Sequence, residues 1–208
     1  MNKFFNTAGA CQPEIHYVVD SLPRLSGIRE LIDGRHYFII HAPRQTGKTT
    51  YLYALMHQLN QEGKYTALQV NVQAAASGRD VDHAMQIAAA GLHRQAVQYL
   101  PTTEWPPKVT DDTTQFGLQG YLNQWSLQNP KPLVLFIDEA DSLMDDLFLA
   151  LLRQLRAGFE ARPTGFPQSL ALVGLRDVRD YKIRLRPESA SLGTGSPFNV
   201  KTKSLFML

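Results

Sequence analysis

An α/β fold with a mainly parallel sheet is predicted for this chain by three observations. Short runs of β-forming residues alternate along the sequence with segments of helical period. Of these runs, HYFII at 36–40 is rich in β-forming residues, and LVLFI at 133–137 is continuously apolar rather than alternating, as in a strand buried on both faces. A glycine-containing turn follows the first run and an acidic turn follows the second, and in open α/β sheets ligands gather at such strand ends. Helices on both sides of the sheet complete three layers.

The elements follow in order. Residues 1–34 form a lead-in, carrying Pro13 and Pro23 and closing on a short helix over 26–33. The 36–40 strand comes next. Leu52, Leu55, Met56 and Leu59 then recur at i, i+3, i+4 and i+7, one face of a helix that Gly63 stops. YTALQVNV, 65–72, reads as the second strand. Asp80 caps a helix over 81–99 whose inner face is Ala84, Ile87, Ala88, Leu92 and Ala96. The three prolines in 101–114 predict a loop, and 116–127 a helix leading into the 133–137 strand. A long helix over 142–161, a fourth strand at 170–173 and a fifth at 200–207 complete the chain. No internal repeat or low-complexity tract interrupts it.

The turn after the first strand carries the chemistry. Ala42, Pro43, Arg44, Gln45, Thr46, Gly47, Lys48 and Thr49, followed by Thr50, fit the spacing of a phosphate loop (Walker A), with alanine at the first glycine position. Such a loop turns backbone N–H groups toward a phosphate, and the helix after it adds its positive end. Gly47 allows close backbone approach. Lys48 would set an ammonium against the β- and γ-phosphates, and Thr49 would offer its hydroxyl to Mg²⁺. About ninety residues later the apolar run ends in Asp138 and Glu139. Asp138 would hold Mg²⁺ through a water opposite Thr49, and Glu139 would polarise the attacking water as general base.

Together the two motifs resemble the additional-strand, catalytic-glutamate division of P-loop ATPases, which includes the AAA proteins and the signal-transducing ATPases with numerous domains. HAPRQTGKTT, LFIDEAD, LLRQLRAGFEARP, LVGLRDVRDY and SPFNVK, with FNTAG and HYVVDSLPRL before them, are similar to the bacterial AAA-like domain ATP-binding proteins. The resemblance covers most of the chain. It implies a three-layer P-loop NTPase fold with five strands in the order 5-1-4-3-2, and one ATPase core over 1–208. It implies that Arg176 is a sensor arginine for the terminal phosphate, since a guanidinium pairs with phosphate oxygens. It implies that the segment before the first strand, with His16 and Tyr17, covers the adenine ring. Adenine over guanine follows from the resemblance and from the lack of an N-K-x-D-type motif. Arg179, Arg153, Arg156 and Arg162 are weaker candidates for an arginine acting in trans. AAA-type relatives carry a helical lid after the last strand, whereas this chain stops at SLFML. The expectation is a core without its lid, or a strand edge covered by a partner.

Composition narrows the classes further. A net charge of +2 is near zero and implies no global nucleic-acid field. One cysteine, Cys11, rules out an internal disulfide and suits a reducing compartment. No apolar run is long enough to cross a bilayer, the N-terminal residues lack a signal-peptide core, and the cytoplasm is the expected setting. Six histidines show no metal spacing. From Arg162 onward eight basic residues face three acidic ones, a solvated face or a phosphate- or DNA-facing edge. The expected activity is Mg²⁺-dependent hydrolysis of ATP to ADP and phosphate. The alternatives are a nucleotide-operated switch that binds a protein partner or a second copy and turns over slowly, and a DNA-handling accessory ATPase. A small-molecule kinase fits poorly, because Glu139 suits water activation.

Overall fold

Alternation of side chains along a strand exposes one face to water unless both are covered. In the computed structural model, which describes residues 3–4, 15–17, 26–41, 47–143, 145–174 and 202–204, every residue of β3 (Leu133–Asp138) and β4 (Ser169–Gly174) is buried. Both faces of the sheet are therefore covered at its centre. Each fully buried Leu, Ile or Phe there contributes about 1.5–3 kcal/mol.

β1 (Tyr37–His41) and β2 (Thr66–Asn71) complete a parallel sheet in the order β2-β3-β4-β1. The fourth strand in sequence thus lies between the first and third, as expected. A three-residue strand, β5 (Thr202–Ser204), runs parallel to β1 on its other side, with Thr202 opposite Ile39. α1 (Ser26–Asp33) packs on β4, and α2 (Lys48–Glu62) and α3 (Val81–Tyr99) pack on β2. α5 (Gly117–Gln128) and α6 (Asp145–Ala157) pack on each other and on α3.

Local chemistry explains the boundaries. Asp80 caps α3 by accepting the His83 N–H at 2.8 Å. Gly63 ends α2 in the left-handed region at φ 72°, a conformation glycine adopts without a Cβ penalty. The expected 101–114 loop contains a 3₁₀ turn, Thr102–Glu104, and the one-turn α4 (Asp111–Thr114). Thr110 and Thr113 cap α4 reciprocally, a local arrangement that the surrounding prolines obscured. The long helix expected over 142–161 is three pieces: a 3₁₀ turn Ala140–Ser142, α6, and a 3₁₀ turn Phe159–Ala161.

The amino edge of the sheet is tied by polar groups. The Glu104 carboxylate, 5 % exposed, accepts from Thr66 Oγ1 at 2.6 Å and from Lys131 Nζ at 2.5 Å. Asn129 Nδ2 donates to Thr66 Oγ1 at 2.8 Å and to the Lys131 carbonyl at 2.6 Å. Tyr37 Oη donates to the Pro167 carbonyl and Ser169 Oγ to the His36 carbonyl, at 2.9 and 2.7 Å. At the outer end of α1, Asp33 accepts from Arg29, Lys64 and Tyr65. Burial pushes the Asp33 carboxyl up, but those hydrogen bonds and the nearby Arg29 charge outweigh it and hold it well below the usual carboxylate range.

Candidate functional site

β1 ends at the carboxyl edge of the sheet, and Gly47 is the N-cap of α2. That glycine sits at φ 83°, ψ 14°, the left-handed region. Nothing lies within 4 Å of where its Cβ would stand, so backbone conformation rather than space calls for glycine. Ala42, Pro43, Arg44, Gln45 and Thr46, and likewise Arg176 and Arg179, lie outside the described residues.

α2 starts at Lys48. Its N-cap, Gly47, offers no side-chain oxygen to the first turn, and no acidic residue lies there. The positive end of α2 therefore faces the carboxyl edge without a side-chain anion of its own first turn. Lys48 is buried, and Thr50 is half-buried beside it.

Asp138, the last residue of β3, is 1 % exposed and receives three donors. Thr49 Oγ1 donates to its Oδ2 at 3.0 Å and Gln69 Nε2 to the same oxygen at 3.2 Å, while the Glu139 N–H donates to Oδ1 at 3.0 Å. Burial pushes the Asp138 carboxyl up. Thr49, the Glu139 N–H, Gln69 and the Lys48 charge pull it back without cancelling the rise. A buried carboxylate of this kind gains from a cation, which favours its charged form.

Glu139 leaves the strand at φ 54°, ψ 34°, a left-handed conformation that costs a non-glycine residue roughly 1–2 kcal/mol. The kink turns the chain into the 3₁₀ turn, where the Ser142 N–H donates to the Glu139 carbonyl at 2.9 Å. β4 ends next to this turn: a Cβ on Gly174 would stand 2.9 Å from Asp141 Oδ1. The ends of β3 and β4 and the start of α2 thus border one region.

The remaining sequence candidates lie as follows. His16 is buried and Tyr17 is 56 % exposed, on a parallel bridge in which Phe4 pairs with His16. The Phe4 and His16 rings meet edge-on at 4.8 Å. Arg162 is at the amino edge: its guanidinium covers the Phe159 ring at 3.4 Å and donates to the Phe159 and Arg35 carbonyls. It therefore stands at the opposite end of β1 from Lys48. Arg153 and Arg156 are exposed on α6.

Two residues near Asp138 were not singled out from sequence. Gln69 is a polar residue within an apolar run, which is the signal it gave. Tyr53, one turn after Thr49, has its phenol pushed up to about 12 by burial, by its hydrogen bond to Tyr99, and by the Tyr99 and Asp138 charges.

A Mg²⁺ held by one carboxylate and one hydroxyl, with phosphates and water supplying the other oxygens, suits these donors. Among the described residues no group of three or more His, Cys, Asp or Glu could hold a metal by itself, and no helix is long and apolar enough to cross a membrane. The chain has no match among curated proteins. A family model described as AAA domain matches residues 31–181.

Proposed function

Since the chain belongs to the AAA domain family, a P-loop ATPase family, we propose that it binds ATP with Mg²⁺ and hydrolyses it to ADP and phosphate. The observation that carries this reading is the 3.0 Å hydrogen bond from Thr49 to Asp138. It joins the first turn of the helix after Gly47 to the acid that ends β3, residues far apart in sequence.

The roles follow from chemistry. The N–H groups of Ala42, Arg44, Gln45, Thr46, Gly47, Lys48, Thr49 and Thr50, in a loop shaped also by Pro43, cradle the phosphates. The Lys48 ammonium balances charge on the β- and γ-phosphates, and Thr49 and Asp138 hold the metal. Bound Mg²⁺ supplies Lewis-acid shielding of phosphate oxygens. Glu139 takes a hydrogen bond from the attacking water and orients it toward phosphorus. Arg176 contacts the terminal phosphate, and His16 and Tyr17 lie on the adenine side. In this reading 1–208 is one ATPase core of the bacterial AAA-like group, Thr202–Ser204 is its fifth strand, and the setting is cytoplasmic.

The test is a thermal-shift titration with ATP, ADP and GTP, with and without Mg²⁺. A ligand at about 100 times its Kd stabilises the folded state by about 2.7 kcal/mol. ATP is expected to raise the melting temperature of the wild type and not of Lys48→Ala. Equal shifts in both, or none in the wild type, would overturn the reading.

A further inference from the structure

Gln69 is an uncharged side chain placed where it can act on a metal-binding acid. β2 and β3 pair in parallel with Gln69 opposite Phe136 and Asn71 opposite Asp138. Register partners and residues two apart share a face, so Gln69 and Asp138 lie on the same face of the sheet, one pleat apart. Gln69 is 2 % exposed and Asp138 is 1 % exposed, which makes their 3.2 Å contact a buried one.

The pattern of donors gives the contact its meaning. An ionised carboxylate offers about four lone-pair sites. Two donors, the Thr49 hydroxyl and the Gln69 amide, converge on Oδ2, and the Glu139 N–H takes one site on Oδ1. Thr49 comes from α2 and Glu139 from the left-handed turn that follows β3, whereas Gln69 comes from the interior of a paired strand. Its amide is thus the donor fixed by the sheet itself. An amide also brings no charge, so it orients the acid without competing with a cation for it.

We infer that Gln69 is a positioning residue: its amide holds the Asp138 carboxylate in the plane and rotamer from which it serves Mg²⁺. The inference rests on the nucleotide reading above. Groups that orient metal ligands in this way typically contribute 10–100-fold to metal affinity.

Gln69→Met keeps chain length and packing but removes the donor. Gln69→Glu keeps the shape and turns an acceptor toward Asp138. Melting temperature is followed for wild type and both variants at fixed ATP over a range of Mg²⁺ concentrations, and for ATP and ADP in the presence of a chelator. Gln69→Met is expected to raise the half-saturating Mg²⁺ concentration about 10-fold or more, and Gln69→Glu further. Chelated nucleotide is expected to shift the wild type and Gln69→Met equally, which a general loss of structure would not leave intact. If Gln69→Met loses its melting transition, the comparison passes to Gln69→Glu. A half-saturating Mg²⁺ concentration unchanged in a folded variant would overturn the role of Gln69 while leaving the nucleotide reading standing. A wild type that gains nothing from Mg²⁺ and ATP together would overturn both.

Discussion

Replacing Glu139 by Gln separates the chemical role of this side chain from the structural role of its backbone. The backbone N–H at 139, not the side chain, donates to Asp138 Oδ1 at 3.0 Å, and the carbonyl accepts from Ser142 at 2.9 Å. Both bonds survive the substitution. The left-handed conformation at φ 54° strains Glu and Gln alike, so its cost of roughly 1–2 kcal/mol cancels between the two proteins. Gln also keeps the length and shape of the half-buried Glu139 side chain, so stability should change by about 1 kcal/mol or less. Turnover should not be spared. A positioned general base contributes about 10²–10⁴-fold, equivalent to roughly 3–5 kcal/mol of barrier at 1.36 kcal/mol per decade. Phosphate release from Mg²⁺ and ATP, measured at matched purity, should fall by that factor. Thermal shift with ATP should stay as in the wild type. Equal hydrolysis by wild type and Glu139→Gln would refute the general-base assignment. Loss of ATP binding together with loss of the melting transition would refute the claim that Gln preserves the fold at this position.

Two further predictions concern stability. A Cβ on Gly158 would stand 2.3–2.5 Å from the Phe166 ring, which is fully buried and cannot swing out; Gly158→Ala should destabilise by about 1–3 kcal/mol in denaturant melts. Asp33→Asn removes a carboxylate held below its usual range, and its side chain is partly exposed, so the loss should be about 1 kcal/mol at neutral pH. A depressed carboxyl stabilises above its unfolded value and loses that contribution as pH falls through the folded one. The gap between wild type and Asp33→Asn should therefore be full near neutrality and shrink below about pH 4, and a gap that widened on acidification would contradict the assignment.

How far the sequence could be read depended on how local the cause was. α3 was legible to the residue, because Asp80 caps it and its apolar residues repeat at helical spacing. β3 was legible because a strand covered on both faces has no polar residue before its end. The meeting of Thr49 with Asp138 was legible as a pairing of two motifs, each built from neighbours in sequence. Gln69 was not. Its importance arises from parallel pairing with a strand some seventy residues away, and no short-range pattern encodes that register. The left-handed Glu139 was also hidden, since positive φ announces itself in sequence only when glycine or asparagine occupies the position. The place of Arg162 was hidden for a similar reason: nothing nearby in the chain says which end of the sheet a loop arginine will reach.

The buried ties of Glu104 with Thr66 and Lys131 have a consequence at a distance. They fasten the first residue of β2 and the approach to β3 at one common origin, as two rulers are aligned at zero. A shift of β2 by a single step would turn the odd-numbered side chains to the other side of the sheet and carry Gln69 away from Asp138. The alignment of the acid at one rim is thus set by a carboxylate at the other, which makes Glu104 a residue whose loss should be felt across the full length of the strands.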